Sequence, residues 1–344
     1  MPAAPQPPPD IPVAPSRARV YGTHFGYSVF GFTIRHLGVL PAYALLWVVV
    51  PSYLILRPQI RRSLIPYLSR RFPGDSPLRR FFRTATHLNA FARVLVDQAA
   101  MMILGVDRVS IVSPNREALR TAAARGRGMV ILSSHIGNWQ SAMRVVGKVD
   151  RRVHVQIDRR YRDAGQYIFN LAGESDKFRV IAPDAFLGGA VEMIQALREG
   201  DIVAVMGDRV EGARAGTAHL LGDPVALPLM PYQLAIQGDA DLVVVLAART
   251  GRMAFHVDLE VITDGLDLAT LDRREAMNTL LRRYVALVEN HLKAHPHMWF
   301  NFFDLWATPT EATEGESAGG SEGRAERGDH SRAEDRGRGP RPGH

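Results

Sequence analysis

The chain has 344 residues, enough for one large domain or two small ones, and 46% of them are hydrophobic, so a substantial core can be buried. It has no cysteine, which excludes disulfides, cysteine-ligated zinc and cysteine nucleophiles. The formal charge of +7 favours an anionic partner such as a phospholipid surface or a phosphopantetheine carrier. Nucleic acid is not expected, because no basic stripe interleaved with aromatic residues is found.

Both ends of the chain are predicted to be disordered. Residues 1–16 are proline-rich and lack the basic start of a secretory signal, and residues 308–344 have too few large apolar side chains to pack a core. Residues 311–344 hold eight acids and six arginines, so the rest of the chain carries a net charge of +9. Between these ends we expect an anchor with a basic flank over 20–83 and an α/β domain over 84–306.

The anchor is predicted from twenty uncharged residues, Leu37 to Leu56. A helix of about 20 residues crosses a bilayer core of roughly 30 Å. Residues 57–83 carry eight arginines and one acid, so the positive-inside rule places that flank in the cytoplasm. Two interpretations stay open: a membrane span or deep interfacial anchor, which the asymmetric basic flank favours, and a buried core helix.

From residue 84 onward, helical and strand patterns alternate. Helices are predicted over 84–104, 138–147, 187–199, 229–238 and 271–294. Strands are predicted over 128–135, 152–157, 178–183 and 201–208, with a short extended segment at 218–222 and an antiparallel pair, 241–250 and 252–262, joined at Thr250-Gly251. This order predicts an α/β fold with a mixed, mainly parallel sheet flanked by helices.

The stretch "SSHIGNWQ" (133–140) places a histidine where an α/β enzyme has its site. His135 ends a predicted strand, and in open α/β sheets the crevice beyond the strand ends binds ligands. Asn138 can cap the next helix, whose N-terminus favours developing negative charge. The arrangement suits a general base that removes a proton from a hydroxyl, with the residue at position 140 facing back toward the imidazole. A loop histidine satisfied by its neighbours is the alternative.

Further polar candidates follow two other predicted strands. Asp208 and Arg209 end a buried strand and belong to the same crevice by the same argument. Arg209 suits a phosphate or a carrier phosphopantetheine, although an Asp–Arg pair that only stabilises a turn is possible. Arg159, Arg160 and Arg162 suit an anionic head group, with a solvated basic loop as the alternative.

Four motifs together resemble one family. "SSHIGNWQ" is similar to the His-x4-acid motif of bacterial late lipid A acyltransferases, which belong to the lysophospholipid acyltransferase class. "VAVMGDR" (203–209), the segment 218–249 and "HPHMWFNFFDLW" (295–306) resemble their later motifs, in the same order. The resemblance covers residues 20–306 and implies a lysophospholipid acyltransferase-like fold for 84–306. Within the last motif, residues 299–303 are expected to pack in the core, with Asn301 and Asp304 satisfying buried backbone groups.

The resemblance implies transfer of a fatty acyl group from a thioester to a hydroxyl of a lipid or lipid A-like acceptor. The donor is an acyl carrier protein or coenzyme A, the acceptor a membrane phospholipid or glycolipid, and His135 the general base. Helix-terminal N–H groups or a basic side chain stabilise the oxyanion. No metal or other cofactor is implied. The expected location is the bacterial inner membrane, with the catalytic domain on the cytoplasmic side.

The sequence departs from the family motif at Gln140, which replaces its acid. An amide carbonyl can accept a hydrogen bond from an imidazole but cannot offset the imidazolium charge. Three interpretations stay open. Gln140 orients His135 in a slower enzyme; another carboxylate takes over, with Asp208 as first candidate and Asp158 as second; or the protein binds a lipid or carrier without transferring acyl groups. An N-acyltransferase that makes an amino-acid lipid is a further alternative.

Overall fold

The structure is a computed structural model that describes residues 24–156, 177–181, 189–210, 214–268 and 270–307. The chain divides into two compact units, Met1–Trp306 and Ala307–His344. The predicted disordered segments, 1–16 and 308–344, lie outside the described residues. All the helices and strands that the structure describes lie between residues 24 and 294 and therefore belong to the first unit.

The helices of this unit lie before, between and after the strands. They are α1 His24–Leu37, α2 Val39–Leu56, α3 Pro58–Arg71, α4 Pro77–Leu104, α5 Arg116–Ala124, α6 Trp139–Val146, α7 Ala190–Arg198, α8 Met230–Gln237 and α9 Arg273–Ala294. All five helices predicted from residue 84 onward are present, and α4 begins seven residues earlier than predicted, at a Ser76 cap followed by a proline. Helices α1, α3 and α5 were not predicted individually.

The strands form a seven-stranded sheet and a separate two-stranded one. They are β1 Ser110–Val112, β2 Met129–Ser133, β3 Val153–Gln156, β4 Phe178–Ile181, β5 Ile202–Met206, β6 Ala215–Leu220, β7 Asp223–Pro228, β8 Asp241–Gly251 and β9 Ala254–Val261. The large sheet has the order β1-β9-β8-β2-β5-β3-β4, and β6 pairs with β7. Among the strand pairs of the large sheet that the structure describes, β8–β9 alone is antiparallel, so the predicted mixed, mainly parallel α/β fold is confirmed.

The large sheet buries both of its faces, as a parallel sheet flanked by helices must. Along β2, Val130 and Leu132 face one core, which includes residues of α1–α4 and α7–α9. Met129 and Ile131 face the other, which α5 and α6 cover. The alternation follows from the two-residue period of a strand. It explains why β2 is a continuous apolar run in the sequence.

The N-terminal helices pack on this domain. Helix α2 is the one helix in the described part of the chain that is long and apolar enough to cross a membrane, although 28% of that stretch is buried within the protein. Five side chains of α2 are buried: Ala42, Tyr43, Leu46, Val50 and Leu54. The core-helix interpretation therefore describes the buried face of α2, and the membrane interpretation describes its exposed apolar face.

Candidate active site

The candidate site lies where β2 and β5 end. These strands are parallel neighbours, and Ser133 pairs with Met206 at their last residues. His135 and Asp208 each follow two residues later, so both side chains emerge at the same edge of the sheet. The Nδ1 atom of His135 lies 2.9 Å from Oδ1 of Asp208, and the backbone N–H of His135 donates to Oδ2 at 2.9 Å. The carboxylate is thus fixed against both the ring and the backbone of the histidine.

Asp208 is a buried carboxylate with an unusually complete set of donors. Its Oδ2 also accepts from Trp299 Nε1 at 3.0 Å and from Asn301 Nδ2 at 2.8 Å. Burial acts to raise its pKa, but the charges and hydrogen bonds of His135, together with Arg209 and Trp299, outweigh burial and hold the pKa well below its usual range. Asp208 therefore stays ionised at neutral pH.

The ionised carboxylate defines the proton position on His135. A carboxylate only accepts hydrogen bonds, so Nδ1 of the neutral ring carries the proton and Nε2 holds the lone pair. The ring is 28% exposed, and no hydrogen bond to Nε2 is present in the part of the chain that the structure describes. Such a ring can accept a proton from a bound hydroxyl at Nε2.

The last sequence motif lies along residues 134–138, which join β2 to α6 and which we call the histidine loop. Ile136 and Trp299 form an antiparallel bridge. The N–H of Gly137 donates to the carbonyl of Met298 at 2.7 Å, and the N–H of Phe300 donates to the carbonyl of His135 at 2.7 Å. This pairing brings the Trp299 and Asn301 side chains to Asp208. The expectation that Asn301 and Asp304 satisfy buried backbone groups is wrong. The Asn301 amide bonds the side chains of Asp208 and Arg209. Asp304 is exposed, and the backbone N–H of Trp306 that donates to it is not a buried group.

Asn138 caps α6, as its position predicts. Its Oδ1 accepts from the backbone N–H groups of Gln140 at 3.1 Å and Ser141 at 3.3 Å. Asn138 is fully buried, so the cap holds the histidine loop to the helix. These two N–H groups are therefore already bonded, and the expectation that helix-terminal N–H groups hold an oxyanion finds no support at these two positions.

Gln140 bonds a residue on another helix. Its Oε1 accepts from Nε2 of Gln98 on α4 at 2.7 Å, and the same Nε2 lies 3.4 Å from Oδ1 of Asn138. No hydrogen bond joins Gln140 to His135 among the residues that the structure describes. The geometry therefore supports the interpretation in which Asp208 replaces the motif acid, and not the one in which Gln140 orients the histidine.

We predict that Gln140→Glu leaves the acyl-transfer kcat unchanged or lowers it. The new carboxylate takes the place of the present amide and faces Gln98 and Asn138, while His135 keeps Asp208 as its partner. The measurement is kcat of the two proteins with one donor and one acceptor. A clear rise in kcat would show that the missing motif acid limits the rate and would contradict the role of Asp208.

Arg209 lies beside the His135–Asp208 pair and is half-buried. Its Nε donates to Oδ1 of Asn301 at 2.9 Å, and its guanidinium lies over the Phe303 ring at 5.6 Å from the ring centroid. The side chain is thus held near the mouth of the site as a fixed positive charge. The predicted head-group residues Arg159, Arg160 and Arg162, and the second carboxylate candidate Asp158, lie outside the described residues.

We predict that Asp208→Asn destabilises the folded chain by about 2–4 kcal/mol at pH 7. Because folding lowers the pKa of Asp208, its contribution is full above its unfolded pKa of about 4 and is lost as pH falls below that value. The difference in unfolding free energy between wild type and variant therefore shrinks below about pH 4. This difference is obtained from denaturant unfolding of both proteins at pH 7 and at about pH 3. Asp304→Asn, which removes an exposed carboxylate, is the control and should lower the unfolding free energy at pH 7 by much less than Asp208→Asn does.

One comparison with known proteins identifies the family of the chain. Residues 69–308 match the family model of the bacterial lipid A biosynthesis acyltransferases, which covers the sheet, the His135–Asp208 pair and the last motif. No curated protein matches the chain. The matched segment is more than half of the sequence and contains His135, Asp208 and the side chains that bond them. The chain therefore belongs to the bacterial lipid A biosynthesis acyltransferase family.

Proposed function

We propose that the protein transfers a fatty acyl group from the thioester of an acyl carrier protein or coenzyme A to a hydroxyl of a lipid or lipid A-like acceptor. The observation that carries the proposal is the 2.9 Å contact between His135 Nδ1 and Asp208, which leaves Nε2 as the base. It also weakens the case for a silent binding protein, since that interpretation rested on the neutral Gln140 alone.

In the proposed reaction, His135 Nε2 takes the proton of the acceptor hydroxyl as its oxygen attacks the thioester carbonyl carbon. The tetrahedral intermediate collapses, the carbon–sulfur bond breaks, and the imidazolium returns the proton to the leaving sulfur. Asp208 stays ionised throughout and stabilises the positive ring, as the acid of a Ser-His-Asp triad does. The products are an ester and a free thiol, and the reaction needs no metal or redox cofactor.

Arg209 is the residue that we assign to an anionic group of the substrates. The guanidinium is held by Asn301 and Phe303, and a guanidinium can bind one phosphate through two hydrogen bonds. That phosphate belongs either to the phosphopantetheine of the donor or to the acceptor head group. We place the protein at the bacterial inner membrane with this site on the cytoplasmic side, because the arginine-rich residues 57–83 suit the anionic lipids of the cytoplasmic leaflet.

The proposal is tested with purified protein and a panel of acyl carrier protein and coenzyme A thioesters. Thiol release reports use of the donor, and mass spectrometry of added lipids identifies the acylated acceptor. His135→Ala is the control that separates catalysed transfer from spontaneous hydrolysis. If neither donor is consumed above the His135→Ala background, the proposal is wrong.

A further inference from the structure

Helix α2 presents apolar side chains to two different surroundings. One face, which includes Tyr43 and Leu46, is buried in the protein. The opposite face carries an outer stripe of four residues, Leu40, Trp47, Val48 and Ile55, which are 62%, 81%, 72% and 72% exposed. Their spacing of seven, one and seven residues keeps them on one side of a helix. A helix that is apolar on both faces needs an apolar partner on its outer face as well.

Exposed apolar side chains are concentrated around this helix. Fourteen large hydrophobic residues are exposed in the described part of the chain, and twelve of them lie between Phe32 and Leu95, in α1 to α4. The other two, Val112 and Val191, lie elsewhere, on β1 and α7. We call the twelve a patch because α1, α3 and α4 each pack against α2. An exposed apolar patch favours a contact surface.

The inner face of α2 is attached to the catalytic domain by a buried polar contact. The hydroxyl of Tyr43 donates to Asp97 on α4, and Nε of Arg249 on β8 bonds the other carboxylate oxygen at 2.7 Å. Asp97 is fully buried and the Arg249 side chain is 10% exposed. Withdrawing α2 from the domain would leave an ion pair without one of its hydrogen-bonding partners, which is costly.

This attachment is incompatible with a helix that crosses the bilayer. If α2 ran through the membrane while packed along α4, then the polar residues of α4, including Arg93, Asp97 and Gln98, would enter the hydrocarbon with it. Charged and polar residues are rare at that depth because moving them into hydrocarbon is costly. Gln98 also bonds Gln140, so the active site itself would move to membrane depth.

We propose that α2 lies in the plane of the membrane surface, with the outer stripe inserted into one leaflet of a bilayer that contains anionic lipids. The partner is argued from charge as well as apolarity, because Arg57 and Arg62 are exposed beyond the C-terminal end of the stripe, where they meet anionic head groups. The inference goes beyond the proposed reaction and does not depend on it.

The absence of cysteine makes a depth measurement direct. Leu40→Cys, Val48→Cys and Ile55→Cys are each made in the full chain, labelled with a nitroxide and bound to vesicles that contain phosphatidylglycerol. Val191→Cys on α7 is the matched control, because it is 55% exposed and lies outside the patch. Depth is read from the relative access of oxygen and of a water-soluble relaxation agent.

The proposal expects all three labels at one shallow depth, about 5–10 Å into the leaflet, and the Val191 label in water. A crossing helix instead places Val48 near the bilayer centre, with Leu40 and Ile55 toward opposite surfaces about 22 Å apart along the helix. That profile overturns the proposal. So do three labels in water, or labels already shielded without vesicles, which would indicate a second copy of the chain. None of these results depends on catalysis.

A second arm tests the anionic lipid. Arg57→Gln with Arg62→Gln is expected to weaken binding to phosphatidylglycerol vesicles by about 20- to 30-fold, as expected for two arginines near the surface at about fivefold each. Binding to vesicles of phosphatidylcholine alone should not change. Equal loss on both kinds of vesicle would overturn the role of anionic head groups.

Discussion

His135→Ala is expected to lower kcat for acyl transfer by about 10⁴, and adding Asp208→Asn to it is expected to cost little more. Asp208→Asn alone should lower kcat by about 10³–10⁴, the scale of the corresponding change in a serine protease. The two losses overlap because Asp208 acts on the reaction only through the imidazole that it holds. The measurement is kcat and KM of the three variants and wild type with one donor and one acceptor.

The Asp208→Asn loss has two physical causes. An asparagine removes the negative charge that offsets the imidazolium, and its amide can donate to Nδ1, which moves the ring proton to Nε2 and abolishes the base. Both act on kcat rather than on KM. Losses that multiply in the double variant would mean that Asp208 contacts the substrates itself.

The chain offers a matched control for this experiment at the other end of β5. Asp201 precedes the strand and bonds Nε2 of buried His154 at 3.0 Å, whereas Asp208 follows the strand and bonds His135. Asp201→Asn therefore breaks a histidine–carboxylate pair of the same chemistry away from the site. It is expected to affect stability and to leave kcat of the folded fraction unchanged.

The contact between His135 and Asp208 could be predicted from the sequence, because both residues follow buried strands and such strands end at one edge of a parallel sheet. The choice between Asp208 and Gln140 was not. It depends on two facts that no local pattern contains: β2 and β5 are neighbours, and Gln98, 42 residues before Gln140, supplies the amide that Gln140 bonds.

Trp299 and Asn301 show a different limit. An aromatic run predicts core packing, and Phe300 and Trp299 are indeed buried. Its polar atoms reach Asp208 only because residues 298–300 pair with the histidine loop. The recurrence of this run as a family motif was the one signal in the sequence of a role beyond packing.

For α2, the sequence lacked the periodicity that separates a membrane-facing side from a protein-facing side. Both faces are apolar, so composition alone is consistent with a span, an interfacial helix or a core helix. The distinction comes from Tyr43, whose hydroxyl finds Asp97 and Arg249 on elements far away in the chain.

Gly137→Ala is the second change for which we expect a large effect, a destabilisation of about 3–5 kcal/mol with loss of transfer activity. Gly137 follows Ile136 in the histidine loop with φ +59°, where a β-carbon is strained. That β-carbon would also lie 1.8 Å from the backbone oxygen of Ala247 in β8, which cannot move without disturbing the sheet. The loop must therefore shift, and His135 shifts with it.

Gly222→Ala separates the two causes. Gly222 has φ +94° in the β6–β7 turn, but no described atom lies within 4 Å of the position that a β-carbon would take there, so only the backbone strain of about 1–2 kcal/mol applies. Thermal unfolding and kcat of both variants provide the comparison. We expect Gly222→Ala to keep full activity and most of its stability. If Gly137→Ala behaves in the same way, the close approach to Ala247 does not position the histidine loop, and the alignment of His135 with Asp208 must depend on the Trp299 and Asn301 contacts instead.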